Sequence, residues 1–257
     1  MERTEIMNFF KNKLDENKIE ISDKSMNNFV IYMDNLIEWN KKINLTAIKK
    51  EDDIIVKHFI DSIFILKYIN GNKIIDIGSG AGFPGIPLKI AENNLDITLL
   101  DSVNKKVLFM QDSIEKMGLK NIVAIHGRAE DYAHDIKCRE QYDVATSRAV
   151  ANMSTLVEYM LPFVKVGGFC ICMKGPNSDE EIIDSKKAIF KLGGEIKEVK
   201  KYSIEGNDRC LVIIKKIKNT EQTYPRNQGK PFKNPLKWYR KLMRSTSNLY
   251  SSCGTFF

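Results

Sequence analysis

The 257 residues predict an α/β protein in which a small helical cap precedes a seven-stranded, mostly parallel sheet flanked by helices. Three observations carry that prediction. Up to about residue 70 the apolar positions recur at helical spacing. From Lys73 onward, short β-branched runs alternate with helical stretches. A glycine-rich turn lies directly between the first of those runs and the helix after it.

The cap comes first. Over 22–44, Met26, Phe29, Val30, Met33, Leu36, Ile37, Trp39 and Ile43 fall on one helical face, and Ser22 is placed to cap the N-terminus. A second amphipathic stretch puts Ile54, Ile55, His58, Phe59, Ser62, Ile63 and Leu66 on one broad face. Strands are expected at KIIDIG (73–78), DITLLD (96–101), NIVAIHG (121–127), YDVATSR (142–148) and GFCICMK (168–174), with helices near 84–93, 104–117, 131–136 and 152–163. After a further helix near 178–192, the runs 195–204 and 210–216 have no helix between them and read as a closing antiparallel pair. The expected units are a helical cap over 1–70, a core over 71–217 and a basic tail over 218–257.

Composition sets the broad class. A hydrophobic content of 43% suits a protein with a real core. No apolar run nears the ~18 residues of a membrane helix. The opening MERTEIMNFFKNK is charged throughout and lacks the apolar stretch of a signal peptide, so a cytoplasmic protein with no membrane partner is expected. The five cysteines are odd in number and form no CxxC pair, which points to reduced thiols. Cys170 and Cys172 should share one buried strand face. No His or Cys cluster completes a metal set, so no metal is expected.

The net charge of +7 is concentrated at one end. Residues 218–257 carry Lys218, Arg226, Lys230, Lys233, Lys237, Arg240, Lys241 and Arg244 against a single acid, Glu221, a surplus that equals the charge of the whole chain. Tyr224, Phe232, Trp238 and Tyr239 lie among these bases, the pattern expected for a phosphate backbone with some base stacking. A merely solvating tail is the alternative, and 244–257 is expected to be mobile.

The strongest local signal is Asp76-Ile77-Gly78-Ser79-Gly80-Ala81-Gly82-Phe83-Pro84-Gly85, which follows an apolar strand and opens a helix. Glycines there let the backbone approach a ligand, and the helix N-terminus offers free N–H groups. Asp101 ends the next strand 25 positions after Asp76, near the ~20 expected of a carboxylate that accepts from both ribose hydroxyls. The ligand is then an adenosine derivative with free ribose hydroxyls, a dinucleotide or S-adenosylmethionine. Gly85, beyond the usual third glycine, favours S-adenosylmethionine. So does Asp76 at the strand's end, where a carboxylate helps to position the cationic amino-acid portion. Gly127-Arg128-Ala129-Glu130 adds an acid where adenine commonly lies. The core is therefore expected to be Rossmann-like.

These residues, together with WNKKINLTAI, the His58-x-x-Asp61-Ser62 pattern, LLDSVNKKVLF, YDVATSRAVA, LPFVKVGG, Lys174-Gly175 and Pro225-Arg226-x-x-Gly229-x-Pro231, resemble the bacterial 16S rRNA guanine-N7 methyltransferase family, also called glucose-inhibited division protein B. The resemblance spans about 35–236. It implies cofactor contacts at Gly78, Phe83, Asp101, Ser102, Ala129, Glu130 and Arg148, to which the turn itself adds Asp76 and Gly80. It also implies methylation of one guanine in the decoding-region loop, with 16S rRNA, the small ribosomal subunit or an assembly intermediate as partner. Separately, a monomer is expected as the working form.

Guanine N7 carries a free lone pair, so that chemistry requires no general base. Neither an Asn/Asp-Pro-Pro-aromatic tetrapeptide nor a Pro-Cys pair, the marks of other base methylations, occurs in the chain. Arginine is the usual reader of guanine's O6/N7 edge. Arg148 and Lys174, after the fourth and fifth strands, are the expected catalytic pair. Arg128, Arg226, Lys230 and Lys233 are the expected RNA contacts, an ion pair to Glu130 or Asp143 being the other reading of Arg128. His58 and Asp61 read as a helix-surface pair. Two other functions fit the same residues: a methyltransferase acting on another RNA, a protein or a small molecule, and a non-catalytic ribosome-binding factor.

Overall fold

A computed structural model describes residues 3–148 and 150–236. Strands β1 (Lys73–Ile77), β2 (Asp96–Asp101), β3 (Ile122–His126), β4 (Tyr142–Arg148), β5 (Val164–Lys174), β6 (Gly194–Ile204) and β7 (Asn207–Lys216) form one sheet in the order β3-β2-β1-β4-β5-β7-β6. The first five are parallel, and β7 runs antiparallel between β5 and β6. All seven expected strands are present. The central ones read as near-continuous apolar runs because helices cover both faces of a parallel sheet.

Helices α1 (Arg3–Glu16), α2 (Asp23–Asn40), α3 (Glu51–Ile54) and α4 (Asp61–Ile63) precede the sheet, with a π-helical turn, Ile55–Ile60, joining α3 to α4 and a 3-10 turn, Phe64–Tyr68, following. Ser22 caps α2 as expected, its Oγ accepting the Ser25 N–H at 3.1 Å. Between and after the strands lie α5 (Gly85–Ala91), α6 (Asn104–Lys116), α7 (Ala129–Tyr132), α8 (Met153–Met160), α9 (Asp179–Lys191) and α10 (Lys230–Lys233). No helix among the described residues is long and apolar enough to cross a membrane.

The cap and one face of the sheet share a single core. Phe10, Phe29, Tyr32 and Phe59 of the cap join Phe109 of α6 and Ile74, Ile97 and Leu99 of the sheet, and the Phe29 and Phe59 ring centroids lie 5.0 Å apart. On the opposite face Ile75, Ile77, Cys170, Cys172 and Ile214 pack against Leu156, Val157 and Met160 of α8. Both cysteines are fully buried, which pushes the Cys172 thiol up to about 12 and Cys170 well above its usual value.

The basic segment departs from its reading as a tail. Residues 218–236 run back over the molecule, and the half of the chain's surplus bases at Lys218, Arg226, Lys230 and Lys233 goes with them. Arg139 is the anchor: its guanidinium donates to the carbonyls of Ala133, Thr220, Glu221 and Tyr224 at 2.7–3.0 Å. Thr220 and Tyr224 are buried. The aromatics Trp238 and Tyr239, the bases Lys237, Arg240, Lys241 and Arg244, and the mobility expected of 244–257 lie outside the described residues.

Candidate active site

The strand order reverses at β1, whose neighbours are β2 on one side and β4 on the other, and open α/β sheets bind ligands beyond the carboxyl ends of the strands at such a point. The turn after β1 occupies that place. Gly78 and Gly80 have φ of +67° and +63°, the left-handed region that only glycine adopts without cost. Three bonds fix the turn: Gly78 N–H to the Leu100 carbonyl at 2.8 Å, Gly80 N–H to Asp101 Oδ2 at 2.8 Å and Gly85 N–H to Asp76 Oδ2 at 3.1 Å.

Over it opens a cleft of about 390 Å³, lined by Ile77, Gly78, Leu100, Ser102, Gly127, Arg128, Ala129, Glu130, Val150, Ala151, Tyr159, Gly229 and Phe232. That volume falls within the roughly 300–1,000 Å³ typical of small-molecule sites. Of the residues expected from sequence, Gly78, Ser102, Arg128, Ala129 and Glu130 line it directly. Asp101 stands behind the turn, holding Gly80 with one oxygen and the Val103 N–H at 2.8 Å with the other. A carboxylate offers about four acceptor positions, so the two bonds leave capacity for ribose hydroxyls. Glycine turn, terminal acid of β2 and acid after β3 thus fit an adenosine derivative.

Five expected residues are placed differently. Asp76 is fully buried beneath the turn, accepting from Gly85 and from Thr146 Oγ1 at 3.4 Å, and burial raises its pKa to about 7. It braces the turn from below. Phe83 turns into the cap, stacked on His58 with ring centroids 4.4 Å apart. Arg148 lies over the Phe83 ring at 4.7 Å and donates to the Lys57 carbonyl at 3.1 Å and to His58 Nδ1 at 2.9 Å. Lys174 donates to the Ala151 carbonyl at 2.8 Å and pairs with Glu181 at 3.0 Å. Arg226 is committed to Glu158 at 2.7 Å. Arg148, Lys174 and Arg226, once partly buried, take protein acceptors, and those of Arg148 and Arg226 come from segments remote in sequence.

His58 and Asp61 are likewise no surface pair. Both are buried, and they meet through Arg148, which lies 3.5 Å from Asp61. Arg209 at 3.6 Å and the Tyr202 hydroxyl at 3.1 Å complete the Asp61 environment. Because Arg148 can only donate, His58 accepts at Nδ1 and carries its proton on Nε2, which donates to Thr46 Oγ1 at 2.9 Å. Burial, reinforced by Arg148, lowers the His58 pKa to about 3 and keeps the ring neutral. The π turn that carries His58 is a backbone form found mostly at functional sites.

Arg128, Lys230 and Lys233 are exposed, and their side chains make no hydrogen bond or ion pair among the described residues. Val150, Ala151, Tyr159, Gly229 and Phe232 line the cleft without having been singled out as site residues. Tyr159 lies within an apolar helix pattern. Gly229 and Phe232 reach the cleft only because 218–236 folds back; the Pro-Arg-x-x-Gly-x-Pro string marks Gly229, and Phe232 is marked only as an aromatic among the bases.

A sheet of this order with an antiparallel seventh strand, a glycine turn after β1 and a cleft over the ends of β1, β2 and β3 defines the S-adenosylmethionine-dependent methyltransferase class. Solved structures share the fold at low identity. A protein described under the conversion of a disulfide bond into a thioacetal group during echinomycin biosynthesis has a TM-score of 0.51 and 13% identity, covering 61% of this chain and 81% of its own. MtNAS in complex with MTA and tNA has a TM-score of 0.51 and 14% identity, covering 73% and 70%. The chain belongs to the GidB family, rRNA small subunit methyltransferase G, whose model matches residues 25–212. It is 49% identical over 238 residues to the Ribosomal RNA small subunit methyltransferase G of Clostridium botulinum (strain ATCC 19397 / Type A), covering 91% of this chain and all of that protein. Those of Clostridium novyi (strain NT) and Clostridium tetani (strain Massachusetts / E88) are each 51% identical over 85% of this chain, covering 92% and 94% of their own lengths. The protein is an enzyme, and S-adenosylmethionine is its cofactor.

Proposed function

We propose that the protein methylates N7 of a guanine in the decoding-region loop of 16S rRNA. The relatives bear the name of a small-subunit rRNA methyltransferase, and the observation that carries the reading is the mouth of the cleft. There Arg128 stands exposed with Phe232, which is 72% exposed, and the exposed Lys230 and Lys233 adjoin in the chain the lining residues Gly229 and Phe232. Free cations beside a bare aromatic ring suit phosphates flanking a base drawn out of its stack.

S-adenosylmethionine supplies a methyl group on a positively charged sulfur. The glycine turn, Asp101 and Glu130 orient the donor's nucleoside end, and the 150–151 backbone, braced by Lys174, forms the wall after β4. The N7 lone pair needs no proton removed, so this reading calls for no general base in the cleft. The Tyr159 hydroxyl is pushed up to about 12 by burial and by Glu130, so it keeps its proton at neutral pH. One oxygen of Glu130 is occupied by the Gly229 N–H at 3.0 Å. Rate enhancement then comes from alignment, which supplies up to ~7–11 kcal/mol in well-oriented reactions. Arg148, Lys174 and Asp76 contribute by bracing the walls, and Arg128, Lys230 and Lys233 hold RNA phosphates. The enzyme works as a monomer in the cytoplasm.

The test is transfer of radiolabelled methyl to small ribosomal subunits and to naked rRNA from cells lacking this enzyme, followed by mapping of N7-methylguanine. Label at one guanine of the decoding-region loop is expected. Label elsewhere on RNA, or on protein or small molecules only, would overturn the substrate.

A further inference from the structure

We infer that Arg226 is a positioning residue for the methyl donor: its clasp on Glu158 holds 226–232 in place as a wall of the cofactor cleft and so sets donor affinity. The inference rests on reading that cleft as the donor site. The Glu158 side chain is fully buried in α8. Its carboxylate accepts from the Arg226 backbone N–H at 2.8 Å, from Nε at 2.8 Å and from a terminal guanidinium nitrogen at 2.7 Å. That same nitrogen donates to the Asn234 carbonyl at 2.9 Å, tying the two ends of the 226–234 turn together.

The clasp is connected to the cleft on both sides. Tyr159, the next residue along α8, lines it. Three positions beyond Arg226, Gly229 lines it too, and its N–H donates to Oε1 of the buried Glu130, the acid placed after β3. Gln228 donates to Asp131 at 2.6 Å, and Thr155 Oγ1 donates to the Pro231 carbonyl at 3.1 Å. Residues 226–232 are therefore bonded to both α7 and α8, the helices that shape the cleft, and Phe232 stands at the far end of the run.

A buried ion pair is weak evidence for stability, since desolvation offsets most of the attraction. Its two-pronged geometry, however, fixes the backbone on either side in one arrangement. A wall already in place spares the donor the entropic cost of ordering it. A clasp of purely structural role would lower the melting temperature and leave the affinity of the folded protein unchanged.

The experiment measures Kd for S-adenosylmethionine and S-adenosylhomocysteine by calorimetry on the full chain carrying Arg226→Gln, Glu158→Gln or both, at a temperature where their circular dichroism matches the wild type. Each single variant is expected to bind about tenfold more weakly or worse, and the double no more weakly than the poorer single, because partners in one pair do not add. Folded variants that bind like the wild type would overturn the inference. Hydrogen exchange on the unmodified protein gives a second reading that needs no variant to fold. Saturating S-adenosylhomocysteine should slow amide exchange over 226–233 as well as over 78–83, and protection confined to the glycine turn would count against the clasp. Failure of the donor reading itself is distinct, because the wild type would then bind S-adenosylhomocysteine without slower exchange over the cleft-lining segments 78–83 and 127–130.

Discussion

Asp76 illustrates how a single residue is easy to locate in a sequence and hard to assign. Its place at the end of β1 was legible, and contact with the donor was the natural expectation. The structure buries it fully and raises its pKa to about 7. An unfolded chain releases this proton near ~3.9, so between about pH 4 and 7 the folded protein holds more protons than the unfolded one, and stability falls as pH rises through that window. Above about 7 the effect is complete. His58, held neutral with a pKa of about 3, gives the opposite slope: it costs stability as pH falls below the ~6.5 of an unfolded histidine. Comparing urea denaturation of the wild type and Asp76→Asn across pH 4–8 removes the His58 contribution, which both proteins share. The wild type's advantage should shrink up to about pH 7 and then level off, and a difference independent of pH would mean that Asp76 titrates like an exposed acid.

At the scale of elements, the π turn and α4 owe their position to β4. Arg148, the last residue of that strand, reaches across to the Lys57 carbonyl, to His58 and to Asp61, and covers the Phe83 ring. It is the rivet between the cap and the glycine turn. Among the described residues, Arg148→Ala leaves the buried Asp61 with Arg209 and Tyr202, and loss of a partner from a buried pair typically costs ~3–5 kcal/mol. A loss of about 3 kcal/mol in chemical denaturation is expected, together with weaker donor binding once Phe83 and the turn loosen. A loss of methyl transfer at full stability and normal donor affinity would instead place Arg148 at the reacting base. The sequence could suggest none of this linkage. Helical periodicity put His58 and Asp61 on a shared face, but it does not encode which strand end that face meets.

Considered as a whole molecule, the charge asymmetry takes a different form from a free basic tail. Of the bases at 218–236, Arg226 serves the fold, while Lys230 and Lys233 are exposed and adjoin in the chain the cleft-lining Gly229 and Phe232. Each phosphate contact contributes a slope of roughly 0.7–0.9 in log K against log salt. Changing Arg128, Lys230 and Lys233 together to glutamine should lower the salt slope of RNA binding by about 2. An unchanged slope in a filter-binding titration would move the RNA face elsewhere.

The amino-acid sequence by itself determined the seven strands, the cap, the glycine turn with Asp101 and the family, because each is written in local periodicity or in contiguous motifs. Gly78, Ser102, Ala129 and Glu130 could be placed at the cleft for the same reason: they follow, within four residues, strand ends whose position the fold dictates. Only the tertiary structure decided which charges face the ligand and which brace its walls. Arg226 and Glu158 lie 68 positions apart, and Arg148 and His58 lie 90 apart. A buried charge must find its partner wherever the packing brings one, and no local pattern records that choice.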